Sequence, residues 1–288
     1  MTNVLQPVIS SYRTVTKVVR GIPTSDGAGV KMTRIIGSQT VEMLDPFLLL
    51  DEFRSDQPDD YIGGFPDHPH RGFDTVTYML AGRMRHKDNY GHEGVINPGG
   101  IQWMRAGKGI IHSEMPEQEE GLMWGFQLWI NLPGNQKMSD PGYQEFDRDE
   151  IPTESNNGST IHVIAGSTAG GIAGPVKNIP TEPLYLDIEF DQGAELHQPV
   201  ARHKKSFIYV YAGSAEIKHP SHPSTALQRG ILGVLGPGDG VNIKAIDPVT
   251  RVILLAAKPL NEPVAWAGPF VMNTREEVMQ AFRDFNIG

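Results

Sequence analysis

Two short segments carry side chains that could hold a metal ion. His68 and His70 lie in Gly64-Phe-Pro-Asp-His-Pro-His-Arg-Gly72, and His112 and Glu114 lie in Gly107-Lys-Gly-Ile-Ile-His-Ser-Glu-Met-Pro116. In an extended chain, alternate side chains share a face, so each pair can present two ligands in one direction. Three neutral imidazoles and one carboxylate suit iron, nickel, copper or zinc, and the lack of thiolate disfavours copper(I) and iron–sulfur clusters. An octahedral ion held by four such ligands keeps two positions open, as catalytic sites do and structural sites do not.

These ligands converge only if the chain between them folds back. Thr75–Gly82 and Gly100–Gly107 read as strands bounded by glycine turns, and side by side they would bring the two pairs together. Upstream, Tyr12–Arg20 alternates like a strand, Ser25–Gly29 reads as a turn and Val30–Ile36 as the returning strand. The acidic run Asp51–Asp60 reads as a solvated loop, because its carboxylates lack the spacing of a calcium loop. Gly121–Pro133 has apolar residues on both parities, which suits a strand covered on both faces and places Trp124, Phe126 and Trp129 in the core, with a place on the wall of a substrate pocket as the alternative for one of them. Gly134–Ser159 turns polar and loses periodicity, the mark of a connection between domains. Near the end, Thr274-Arg-Glu-Glu277 forms a capping box, and Val278, Phe282 and Phe285 follow at helical spacing. That helix is expected to pack, with no chemistry of its own.

The chain has 288 residues, room for two domains, and 32 glycines and 22 prolines punctuate it too often for long helices. An all-β class follows. Without cysteine there are no disulfides, thiol nucleophiles or thiolate ligands. A net charge of −9 argues against binding to nucleic acid. No apolar run approaches a membrane span, and Met1-Thr-Asn-Val-Leu-Gln-Pro7 lacks the pattern of a signal peptide. A soluble, cytoplasmic protein without membrane or nucleic-acid partners is the expectation, acting as a monomer.

The second half echoes the first. Tyr78–Gly82 is matched by Tyr209–Gly213 at an offset of 131, and Asn97–Gly100 by Gly236–Asp239 at an offset of 139. These offsets carry His68 and His70 onto Pro199 and Ala201, and His112 and Glu114 onto Arg251 and Ile253. The second copy is therefore expected to keep the turns and strands without ligands, with His197 and His203 as ordinary surface or packing residues.

Gly64, His68, His70, Asp74 and Gly82 resemble the first cupin motif, and Gly107-x-Gly109-x-x-His112 the second. His68-Pro-His-Arg-Gly-Phe73, Gln102-Trp-Met-Arg-Ala-Gly107 and His112-Ser-Glu-Met-Pro116 look specifically like the pirin family. The resemblance extends to Gly268-Pro-Phe-Val-Met-Asn-Thr274 and so covers nearly the whole chain. It implies a bicupin of two antiparallel, jelly-roll-like β-barrels with a C-terminal helix. The expected limits are residues 1–134 for the metal-binding domain, 135–159 for the connection and 160–288 for a domain without ligands.

The resemblance also implies His68, His70, His112 and Glu114 as ligands of one divalent ion. Iron(II) is expected, with nickel, copper, manganese or zinc as the other candidates. Asp74 keeps the parity of His68 and His70, so an unbroken strand would aim it at the ion as well. Glu114 has the longer reach, which leaves Asp74 a supporting role, orienting an imidazole through its free N–H. The implied activity is that of a quercetin 2,3-dioxygenase, an oxidoreductase that opens flavonols with dioxygen and releases carbon monoxide. Glu114 would then act both as ligand and as general base. Two other readings use the same four residues: a metal- and redox-dependent regulator of transcription that binds a protein partner, and a stabilising zinc site without turnover.

Overall fold

The computed structural model describes residues 9–286, so Met1–Pro7 lies outside the described residues. The chain divides into two compact units that exchange their ends. The first comprises Ile22–Arg148 with Leu260–Gly288, and the second Met1–Gly21 with Asp149–Pro259. These limits differ from those expected from the sequence. The first strand, Val15–Arg20, pairs with Ile231–Leu235 of the second unit instead of with Val30–Ile36. Val30–Ile36 takes Ile22–Asp26 as its partner. The polar stretch read as a connection holds two edge strands. Gly142–Phe146 pairs with Ile101–Arg105 in the first unit, and Thr153–Asn156 pairs with Ser159–Ala165 in the second. Edge strands are half solvated, so their polar sequences carry little apolar alternation to read.

Each unit is built from a seven-stranded and a four-stranded antiparallel sheet. In the first unit the large sheet runs Gly142–Phe146, Ile101–Arg105, Phe73–Ala81, Met123–Asn131, Phe47–Ser55, Val30–Ile36, Ile22–Asp26. Its small sheet runs Phe65–His70, Ile110–Pro116, Met84–Asp88, Glu93–Ile96. The second unit repeats this order with Val15–Arg20, Ile231–Leu235, Lys205–Ala212, Val249–Ala257, Leu184–Asp191, Ser159–Ala165, Thr153–Asn156. Its small sheet is Glu195–Pro199, Gly240–Ala245, Ser214–Lys218, Thr225–Gln228. The sheets are open, since the outermost strands of each have one partner only; closed barrels are not what the pairing shows. In both units apolar residues of the two sheets pack face to face, Met32 and Phe53 with Met84 in one, Leu186 and Leu254 with Ile243 in the other.

The acidic run beginning at Asp51 is not all loop. Phe47–Ser55 is one continuous strand in which Asp51 and Glu52 are buried. The Arg34 guanidinium meets the Asp51 carboxylate in a bidentate pair, at 3.0 Å from Nε and 2.7 Å from Nη2, which permits a buried charge there.

The helix spans Arg275–Asp284 and starts with the expected capping box of Thr274 and Glu277. Val278 and Ala281 are buried with Phe270 and Met272, so the helix belongs to the first unit. Its end also braces the corner after His70. Arg71 donates to Asp284 at 2.7 Å and lies under the Phe285 ring, while its Nε donates to the Lys108 carbonyl. No helix among the described residues is long and apolar enough to cross a membrane.

Candidate metal centre

The small sheet of the first unit joins the two histidine segments directly. Phe65–His70 and Ile110–Pro116 are antiparallel neighbours, with His112 opposite His68 and Ile110 opposite His70. Their common face gathers the three rings, with centroids 4.3 Å apart for His68 and His112, 4.7 Å for His68 and His70, and 5.0 Å for His70 and His112. One nitrogen from each falls within 4.8 Å of the others, a spacing that could hold a metal ion.

The nitrogens themselves fit an ion. Nδ1 of His70 and Nε2 of His112 are buried without a hydrogen-bond partner among the described residues, which is costly unless something coordinates them. The other sides of the rings are tied down. Nδ1 of His68 is 2.8 Å from the Pro66 carbonyl, the His70 ring bonds the Pro269 carbonyl, and Nδ1 of His112 is 3.3 Å from Nδ1 of His86. Such partners orient an imidazole and fix which nitrogen faces the metal. Burial pushes His70 and His112 well below the ordinary histidine range, and the neighbouring imidazoles add to it. Both are therefore neutral near pH 7, the form that ligates.

Glu114 lines the same cavity and is buried. Thr77 Oγ1 lies 2.8 Å from its Oε1, and Gln127 Nε2 donates to Oε2 at 3.3 Å. Burial raises its carboxyl, against the pull of His68 and of these two hydrogen bonds. Asp74 is elsewhere. Its carboxylate accepts from Trp103 Nε1 at 2.9 Å and from Arg105 Nε at 3.3 Å, and it orients no imidazole. The reason is a corner. Gly72, at φ +91°, passes the chain from the small sheet to the large one, so the parity of His68 and His70 does not continue to Asp74. A Cβ at Gly72 would sit 2.0 Å from the Val271 carbonyl. The buried Lys137 ammonium fastens the same corner, donating to the carbonyls of Gly72 and Val271 and to Asn131.

His86, Tyr143, Arg34, Thr77 and Gln127 gave no signal in the sequence. His86 continues the line behind His112, with Nε2 2.8 Å from the Tyr143 hydroxyl, which donates to Asp88 at 2.6 Å. Burial depresses His86 to about 4. Trp129 takes the alternative left open for one of the three aromatics: it lines the cavity and sets its ring 5.0 Å from His70, stacked on Phe73. Arg34 and Asp51 line it too, and Thr77 and Gln127 stand between them and Glu114. The cavity holds ≈ 430 Å³, with Met32, Phe53, Phe65 and Met84 among its apolar walls.

The Pirin family matches residues 29–130, and the Pirin C-terminal cupin domain matches residues 185–288. A Pirin-like protein of Caulobacter vibrioides is 55% identical over 277 residues, covering 96% of this chain and 98% of that one. The chain belongs to the pirin family. Pirin of Homo sapiens is 45% identical over 279 residues, 96% of this chain and 93% of its own. A crystal structure of a quercetin 2,3-dioxygenase from Acinetobacter baumannii superposes with a TM-score of 0.87 at 30% identity, covering 96% of this chain and 97% of that one. The two units thus correspond to the two cupin domains of a pirin, the first with the histidine cluster, and the C-terminal match runs on past Pro259 into the segment that belongs to the first unit.

In the second cupin domain the strand pairing assigns the ligand positions differently from the sequence echo. Gly236–Asp239 joins Ile231–Leu235 to Gly240–Ala245, the place that Ala106–Gly109 takes in the first domain, not Asn97–Gly100. Aligning the sheets by Tyr78–Gly82 and Tyr209–Gly213 puts Gln198 and Val200 at the positions of His68 and His70, and Val241 and Ile243 at those of His112 and Glu114. Gln198 is occupied by backbone groups of Ser167, Ala169 and Pro199.

Proposed function

We propose that this pirin is a metal-dependent dioxygenase that opens flavonols such as quercetin with dioxygen and releases carbon monoxide. The observation that carries this reading is three clustered imidazoles, those of His70 and His112 with buried nitrogens that have no hydrogen-bond partner among the described residues, beside a buried carboxylate in a cavity of ≈ 430 Å³ with aromatic walls. A volume within about 300–1,000 Å³ suits a small organic molecule. His68, His70 and His112, with Glu114, would hold an iron(II) ion. When bound, the ion supplies Lewis-acid stabilisation of the flavonol enolate.

The chain's own residues do the rest. Glu114 takes the proton of the flavonol hydroxyl, a role suited to a carboxylate whose burial raises its proton affinity. Thr77 and Gln127 keep that carboxylate from swinging away. Trp129, Phe65 and Trp266 supply flat apolar surface that binds the rings and excludes water.

The test is oxygen uptake with quercetin. Iron-loaded protein should consume oxygen and release carbon monoxide, and chelated protein should do neither. Tight flavonol binding by the loaded protein without oxygen consumption would contradict the reading and favour a regulatory, protein-binding role.

A further inference from the structure

Four neighbouring strands of the first cupin domain carry a polar row inside the unit. Across the large sheet Arg34 pairs with Asp51, Asp51 with Gln127, and Gln127 with Thr77. The equivalent row of the second domain is Val163, Leu186, Leu254 and Ile208. All four of those are buried members of its apolar core. The sheet therefore folds with an apolar row, and burying an ion pair there is commonly no gain in stability. Thr77 and Gln127 are accounted for by Glu114. Arg34 and Asp51 are not: among the described residues no hydrogen bond or ion pair joins either to a histidine of the cluster, and both line the cavity.

Their unused bonding capacity defines what they could recognise. Arg34 spends Nε and Nη2 on Asp51 and Asp26, and among the described residues its Nη1 has no protein partner. Among the described residues the Asp51 carboxylate accepts only from Arg34, and a carboxylate has further lone pairs to offer. One guanidinium stands between two carboxylates, so the local charge is negative and opposes a second anion. A neutral hydroxyl, able to accept and donate at once, satisfies both groups.

We infer that Arg34 and Asp51 are the specificity-determining end of the cavity, reading a phenolic hydroxyl of an aromatic polyol whose other end lies at His68, His70 and Glu114. Nη1 of Arg34 donates to the hydroxyl oxygen, and the hydroxyl donates to Asp51. The inference rests on the flavonol reading above and narrows it from flavonols in general to those hydroxylated away from the chelating edge.

The experiment compares quercetin with 3-hydroxyflavone, which keeps the chelating edge and lacks the other hydroxyls. Binding is followed by the absorbance change of the flavonol on titration into iron-loaded protein without oxygen. Wild type should bind quercetin at least about 10-fold more tightly, the scale of one hydrogen bond to a charged group. Arg34→Val/Asp51→Leu copies the second domain's residue types. It should keep its iron and its 3-hydroxyflavone affinity but lose most of that preference. Arg34→Lys keeps the charge and lacks Nη1; it should lose the preference several-fold and serves should the double variant fail to fold. Equal affinities in wild type, or a preference that survives both variants, would overturn the inference and leave the flavonol reading standing. Binding of neither compound would overturn the flavonol reading and this inference with it.

Discussion

The two cupin domains share one strand order and differ in what fills it. Where the first places Arg34, Asp51, Gln127, Thr77 and Glu114, the second places Val163, Leu186, Leu254, Ile208 and Ile243. The second is a continuous apolar core. The first surrounds a cavity and keeps several polar groups away from water. The comparison separates the requirements of the fold from those of the site. Apolar residues are enough to hold the two sheets together, so the polar row is a cost that folding alone does not explain.

Exchanging equivalent residues puts that distinction at risk. Leu254→Gln in the second domain should be the most damaging. It removes a fully buried apolar side chain and leaves an amide without partners, together about 3–5 kcal/mol. The reverse change, Gln127→Leu, should cost below about 1.5 kcal/mol, because Thr77 remains to hold Glu114. Urea unfolding of both variants measures the contrast, and equal costs would show the two interiors to be interchangeable.

A smaller effect sharpens the comparison at Asp51. Burial lifts its carboxyl from 3.8 to about 6, against the pull of Arg34. The folded chain therefore binds the proton more tightly than the unfolded chain. Asp51's contribution to stability falls as pH rises from about 4 to about 6 and is constant above, by at most about 3 kcal/mol. Asp51→Asn removes this slope, so its stability relative to wild type should rise by up to that amount between pH 4 and pH 7 in urea unfolding. A difference independent of pH, or one moving the other way, would show that Asp51 is ionised throughout.

The histidine pairs were legible because ligand chemistry needs particular residues, and period-2 spacing places them on one face whatever the partner strand. The capping box at Thr274 was legible because its hydrogen bonds are local. What could not be read depends on partners distant in the chain. Asp51 looked solvated because its sequence neighbours are acidic, while its real partner, Arg34, lies on the adjacent strand. Asp74 seemed to face the histidines until the corner at Gly72 moved it to another sheet. His86 stood alone in sequence and acquires meaning only from His112 beside it on the neighbouring strand. The exchange of chain ends between domains leaves no local trace, since Val15–Arg20 reads as a strand whichever sheet it joins.

Metal content tests the central claim, that the first cupin domain alone carries an ion site. Elemental analysis of iron-loaded full-length protein should find about one ion per chain in wild type. His70→Ala and His112→Ala should each empty the site, whereas His197→Ala/His203→Ala in the second domain should leave one ion in place. An ion retained in full by His70→Ala or His112→Ala, or lost with the second-domain histidines, would contradict the account.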